Sequence, residues 1–209
     1  MKIAIIGSGD LGQLIAYHAK QSSGYEIAGY FDDFAQDKKA TDGHLILGKI
    51  DNIMPLYQKK TFDALMVGIG YKHFDFRKKV YEQFKGIIPF AKVIHPSAYI
   101  DPSASIGEGC FILPGCTLDK GVEVGPNVLL NTSCCIAHDS AIGAHSFLAP
   151  RVALAGFINI GECCMLGINS TIIDNIVIPP KTVIGGGAVV IKSVETAGLY
   201  VGVPAKLVV

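Results

Sequence analysis

Residues 130–154 read Leu130-Asn131-Thr132-Ser133-Cys134-Cys135-Ile136-Ala137-His138-Asp139-Ser140-Ala141-Ile142-Gly143-Ala144-His145-Ser146-Phe147-Leu148-Ala149-Pro150-Arg151-Val152-Ala153-Leu154. An aliphatic residue returns at every sixth position. The register extends upstream through Val124, Leu118, Ile112, Ile106 and Ile100 to Ile94. Downstream it runs through Ile160, Leu166, Ile172, Ile178 and Ile184 to Val190. All seventeen positions are Ile, Leu or Val, without a slip. Four residues after each stands a small or aliphatic side chain, a position that must also face inward and that carries Cys110, Cys116, Cys134 and Cys164. Glycine follows the aliphatic at Gly107, Gly125, Gly143 and Gly161, eighteen residues apart, and again at Gly167 and Gly185. Three hexads per coil imply a parallel β-helix of triangular cross-section. Short strands form its sides, with Gly, Pro, Asn and Asp expected at the corners.

Residues 1–93 read differently, as strands alternating with amphipathic helices, which implies a parallel sheet with helices on its faces. Strands are expected at Lys2–Ile6, Glu26–Phe31, Ala64–Val67 and Ile88–Val93, and helices at Gln13–Gln21, Ile50–Lys59 and Phe76–Phe84. The first strand ends in Gly7-Ser8-Gly9-Asp10-Leu11-Gly12, a G-x-G-x-x-G loop before a helix, and Asp32 follows Gly12 by twenty residues. That context is the one a nucleotide-binding loop requires: amides at the helix start to hold phosphate, and a carboxylate (Asp32 or Asp33) to accept from ribose or base. The expected division is therefore an α/β, half-Rossmann domain at 1–93 and a β-helix at 94–209.

Composition narrows the functional classes. Half of the 209 residues are hydrophobic and 17% are charged, enough apolar surface for a core and too much for disorder. Eighteen basic and eighteen acidic residues cancel, with no basic stripe, so nucleic acid is not an expected partner. No apolar run approaches the roughly 20 residues of a membrane span, so no membrane insertion is expected. The opening Met1-Lys2-Ile3-Ala4-Ile5-Ile6-Gly7 is too short and glycine-broken for a signal peptide. The expected location is cytoplasmic. Six cysteines in such a chain read as core residues, and the adjacent pairs Cys134-Cys135 and Cys163-Cys164 lack zinc-ligand spacing, so no metal is expected.

A solenoid is a scaffold, so function must come from a site. Two histidines lie inside the repeat after its opening turn, His138 and His145. A positioned neutral imidazole takes a proton from an amine or hydroxyl, worth roughly 10²–10⁴ in rate. Asp139 stands beside His138 to support it. Residues eighteen apart stack, which places Gly156 against His138 and leaves room for a substrate. Two activities compete: an oxidoreductase with NAD at the glycine loop, and an acyltransferase acting on a nucleotide-linked substrate. The first needs two mononucleotide halves, which residues 1–93 are too few to form, and leaves His138 unexplained.

The chain resembles bacterial sugar acetyltransferases of the sialic acid O-acetyltransferase type, within the hexapeptide-repeat acyltransferases. It is most similar to the nucleotide-activated 4-amino-sugar N-acetyltransferases. Besides the glycine loop and His138-Asp139, the matching stretches are Phe31-Asp32-Asp33, Gly68-Ile69-Gly70, Leu130-Asn131-Thr132-Ser133, Leu166-Gly167-Ile168-Asn169-Ser170, Gly185-Gly186-Gly187-Ala188 and Val201-Gly202-Val203-Pro204-Ala205-Lys206. The resemblance implies a left-handed β-helix, a homotrimer with sites between neighbouring solenoids, and acetyl-CoA as co-substrate. It implies His138 as general base with Asp139 as its modulator. Gly9, Asp10, Leu11, Asp32, Asp33 and Gly70 would hold the nucleotide sugar. Asn131, Phe147, Ile168 and Gly186 would meet the acyl donor, Phe147 standing where the family has a second histidine. O-acetylation of a sugar hydroxyl is the alternative outcome.

Overall fold

The structure is a computed structural model that describes residues 1–21 and 24–208. The chain divides into two compact units, Met1–Val93 and Ile94–Val209.

In the first unit, β1 (Lys2–Ile6) pairs in parallel with β2 (Glu26–Phe31) on one side and β4 (Ala64–Val67) on the other. With β3 (Ile46–Gly48) outside β2, the order is β3-β2-β1-β4. Ile3 to Ile6 and Ala64 to Val67 are all at most 1% exposed, so β1 inside the sheet and β4 at the end of this order are both covered on their two faces. Helix α1 (Asp10–Gln21) buries Ile15, Ala16 and Ala19, and α3 (Phe74–Phe84) buries Val80, Tyr81 and Phe84.

Two expectations change here, and one strand is added. The stretch Ile50–Lys59 is a 3-10 turn, Ile50–Asn52, followed by α2 (Ile53–Gln58). A helix begun at Ile50 would put Pro55 in its interior, where the missing N–H breaks the ladder; begun at Ile53, it holds Pro55 in the first turn, where none is needed. Ile88–Val93 is not a full strand. It offers β4 one bridge, Leu65 opposite Phe90, because Pro89 has no N–H to extend the pairing. The strand Ile46–Gly48, too short for a period-two pattern to show, went unforeseen.

The second unit is a left-handed parallel β-helix. Its first face stacks Tyr99–Ile100, Thr117–Leu118, Cys135–Ile136, Ala153–Leu154, Thr171–Ile172 and Val189–Val190. The second face stacks Ser105–Ile106, Glu123–Val124, Ala141–Ile142, Asn159–Ile160 and Val177–Ile178. The third runs from Val93–Ile94 to Val183–Ile184 and ends in the antiparallel pair Leu199–Val201 and Lys206–Val208. Up to Val183–Ile184, paired strands lie eighteen residues apart, as Leu129 with Phe147 and Leu130 with Leu148; Val183 itself pairs with Leu199. The sixth-residue aliphatics fill the prism, Leu130, Ile136, Leu148 and Leu166 all being 0% exposed. Cys110, Cys116, Cys134 and Cys164 are buried among them, and burial pushes the Cys164 thiol up to about 11.

Turn chemistry alone does not account for the corners. Every sixth residue from Gly109 to Gly187 has a positive φ. Glycine and asparagine fill several of these positions, but Ser133, His145, Arg151, Phe157, Cys163 and Lys181 fill others. What compensates is the preceding coil: the amide of Ser133 donates to Pro114 O, and that of Asp139 to Lys120 O, each at 2.9 Å. The repeat imposes the left-handed conformation on whatever side chain stands there.

Candidate active site

A cleft of about 490 Å³ opens at the carboxyl ends of β1, β2 and β4, lined by Gly9, Asp32, Asp33 and Gly70 together with Phe34, Ile69, His73 and Phe76. Ligands of open parallel sheets bind at this edge. The glycines of the loop have separate tasks. A β-carbon on Gly12 would lie 2.0 Å from Gly7 O, so Gly12 permits close packing of α1. A β-carbon on Gly9 or Gly70 would meet nothing within 4 Å, so these two border open space. Asp10 and Leu11 lie on the first turn of α1, outside the cleft lining.

Asp32 is committed to the protein. Its Oδ2 accepts from the Ser8 amide at 2.9 Å and the Ser8 hydroxyl at 2.6 Å, and its Oδ1 from the Phe34 amide at 2.9 Å. Burial alone would raise its pKa, but these hydrogen bonds and one from the Ala35 amide outweigh it and hold the carboxyl below its ordinary range. A carboxylate has about four lone-pair positions, so little of Asp32 is left for a ligand. Asp33 uses Oδ1 on the Ile50 amide at 2.9 Å and is the more open acceptor. Ser8 shows in the sequence only as part of the glycine loop, and Phe34, His73 and Phe76 went unnoticed there. Phe34, a large apolar residue directly after the Asp pair, did carry a signal; it is 85% exposed.

His138 and Asp139 occupy the corner between the first and second faces of the prism. His138 Nδ1 lies 3.0 Å from Asp139 Oδ2, with both side chains about half exposed. The ring leans into the next coil: a β-carbon on Gly156 would stand 2.7 Å from Cε1 and 2.9 Å from Nε2. The Phe157 ring meets the imidazole edge-on, with centroids 5.1 Å apart. With Nδ1 turned to the carboxylate, Nε2 is the nitrogen that remains to exchange a proton.

The second histidine is placed otherwise. His145 is 1% exposed, with Nδ1 3.1 Å from the Asn127 amide nitrogen. Phe147 is also buried, at 9% exposure, on the third face. Asn131, Ile168 and Gly186 share the corner between the third and first faces. Ile168 is 51% exposed, and a β-carbon on Gly186 would lie 3.2 Å from its Cγ2. Within one chain this corner and that of His138 are separated by the whole width of the first face, so the structure joins Ile168 with Gly186 but neither with His138.

Three kinds of similarity bear on the site. The PglD N-terminal domain family matches residues 2–84. Among curated proteins, UDP-3-O-acylglucosamine N-acyltransferase of Bordetella pertussis is 34% identical over 102 residues, covering 47% of this chain and 28% of that protein. The chain thus spans little more than a quarter of that relative. The carnitine operon protein CaiE of Escherichia coli K12 is 31% identical over 146 residues, covering 61% of this chain and 71% of CaiE. Among solved structures, PerB of Caulobacter crescentus, in complex with CoA and GDP-perosamine, superposes with a TM-score of 0.90 at 28% identity, covering 99% of this chain and 96% of that one.

Proposed function

The chain belongs to the hexapeptide-repeat acyltransferase superfamily and carries a PglD N-terminal domain, and from that premise we propose that it transfers an acetyl group from acetyl-CoA to the amine of a nucleotide-linked 4-amino sugar. The observation that carries this reading is the His138 imidazole, held at Nδ1 by Asp139 and lying in the space that Gly156 leaves open. The PerB complex, a perosamine N-acetyltransferase with CoA and GDP-perosamine, supports both substrate classes.

In the proposed mechanism the cleft of Met1–Val93 holds the nucleotide, with Asp33 and the open edges of Gly9 and Gly70 toward it. Asp32 shapes the loop that Gly9 belongs to. The neutral sugar amine attacks the thioester carbonyl carbon. His138 Nε2 takes the proton shed as the tetrahedral intermediate forms, while Asp139 supports the imidazolium. Collapse of the intermediate breaks the carbon–sulfur bond, leaving the acetamido sugar, and the CoA sulfur departs with the proton that His138 returns. A positioned base of this kind is worth roughly 10²–10⁴ in rate.

The separation of the Ile168–Gly186 corner from His138 supports a closed homotrimer in which one copy supplies the base and its neighbour the donor groove. Closed rings of identical contacts are the ordinary form of such assemblies. Among the described residues no helix is long and apolar enough to cross a membrane, and we place the enzyme in the cytoplasm, where acetyl-CoA and nucleotide sugars meet.

The test is an acetyl-CoA consumption assay against UDP-, dTDP- and GDP-linked 4-amino sugars, the same sugars without nucleotide, and a free sialic acid. Turnover confined to a nucleotide-linked amino sugar is the expected result. Efficient acetylation of the sialic acid, with none of the nucleotide sugars, would overturn the reading.

A further inference from the structure

Phe157 sits at the corner one coil beyond Asp139, with its backbone at φ 59°. That left-handed conformation is unfavourable for a bulky L-residue and costs glycine almost nothing. Glycine holds the equivalent corner position at Gly109, Gly115, Gly121 and Gly187. The amide of Phe157 donates to His138 O at 3.2 Å, as at the other corners, but burial adds nothing to offset the cost, because the residue remains 55% exposed. What its ring touches is the imidazole of His138, with the planes at 87° and the centroids 5.1 Å apart, a favourable edge-to-face arrangement.

Two other contacts act on the same imidazole. Asp139 Oδ2 holds Nδ1 at 3.0 Å, and the bare α-carbon of Gly156 leaves the space in which Cε1 and Nε2 lie. A hydrogen bond and an open space do not fix the plane of a half-exposed ring, which can still swing about the Nδ1···Oδ2 direction. The aromatic edge supplies the missing restraint. We infer that Phe157 is a positioning residue, an aromatic stop that holds the His138 imidazole over Gly156 so that Nε2 keeps a fixed direction toward the acceptor amine. The inference rests on the reading of His138 as general base.

Steady-state kinetics and thermal melting of Phe157→Gly, Phe157→Tyr and Phe157→Leu, alone and with His138→Ala, test it. Phe157→Gly relieves the backbone, so its melting temperature is expected to match or exceed that of the parent. Its kcat is expected to fall about 2- to 10-fold, the rate equivalent of the ~0.5–1.5 kcal/mol of an aromatic pair, with KM for both substrates unchanged. Phe157→Tyr keeps the ring and recovers most of the rate; Phe157→Leu keeps apolar bulk without an aromatic edge and does not. In the His138→Ala background Phe157→Gly costs nothing further, since residues that act through one group are not additive. An unimpaired kcat in Phe157→Gly beside an impaired His138→Ala would overturn this inference alone. So would a raised KM with unchanged kcat, or losses that add in the double variant, either of which would make Phe157 a substrate contact. A fully active His138→Ala would overturn the underlying reading as well.

Discussion

The imidazole of His138 and the α-carbon of Gly156 share one corner of the prism, and the ring fills the place of a residue-156 side chain, its Cε1 only 2.7 Å from where a β-carbon would stand. Gly156 has no left-handed φ, so alanine there meets no backbone strain, and the three atoms nearest its methyl group all belong to the imidazole. Gly156→Ala is expected to melt close to the parent, because a half-exposed ring can swing into solvent, and to lose about 10²-fold in kcat, as a displacement near 1 Å can cost. Parallel melting and kinetic measurements check this. A variant with parental turnover would show that the ring's place over Gly156 is immaterial.

His138→Ala is expected to remain folded and to lose turnover within the general-base range of roughly 10²–10⁴. Asp139→Asn should lose less, since the carboxylate supports the base without touching the proton in flight. A heavier loss at Asp139 than at His138 in the same assay would reverse the two roles.

Asp32→Asn should weaken the nucleotide loop, because an amide cannot accept from both Ser8 donors and the Phe34 amide as the carboxylate does. The expected loss of stability is about 1.5–3 kcal/mol, the range for hydrogen bonds to a charged group. The pH dependence follows from its direction of shift. The folded pKa lies below the ordinary value, so the contribution is complete above the unfolded value of about 3.9 and is lost as pH falls through the lower, folded value. Urea unfolding of parent and variant from neutral pH down through that window should show the stability gap closing. A gap that widens on acidification would contradict the assignment.

A shared site makes a prediction about mixtures. His138→Ala removes the base, and Ile168→Asp places a charge in the donor groove; each variant alone is expected to be severely impaired. Unfolded together and refolded into mixed rings, they should regain activity, because some interfaces then join a parental His138 corner to a parental Ile168 corner. Light scattering should report a trimer throughout. No recovery from verified mixed trimers would mean that each chain builds its site alone.

Much of this architecture can be read along the chain, for a physical reason. A solenoid pairs each residue with the one eighteen positions away, so its long-range contacts are periodic in sequence. Leu130 over Leu148 and the inward Cys134 follow from counting, as does Gly156 against His138. The strand-loop-helix context likewise located the cleft at Gly9 and Asp33. Tertiary structure decided what counting does not reach. That Asp32 spends its lone pairs on Ser8 and Phe34 depends on how two loops fold toward each other. That His145 lies buried beside Asn127 while His138 stands half exposed depends on how each ring is directed at its own corner, which a six-residue register does not give. The aromatic edge of Phe157 on the imidazole needs a side-chain direction, and a periodic pattern of residue types carries none.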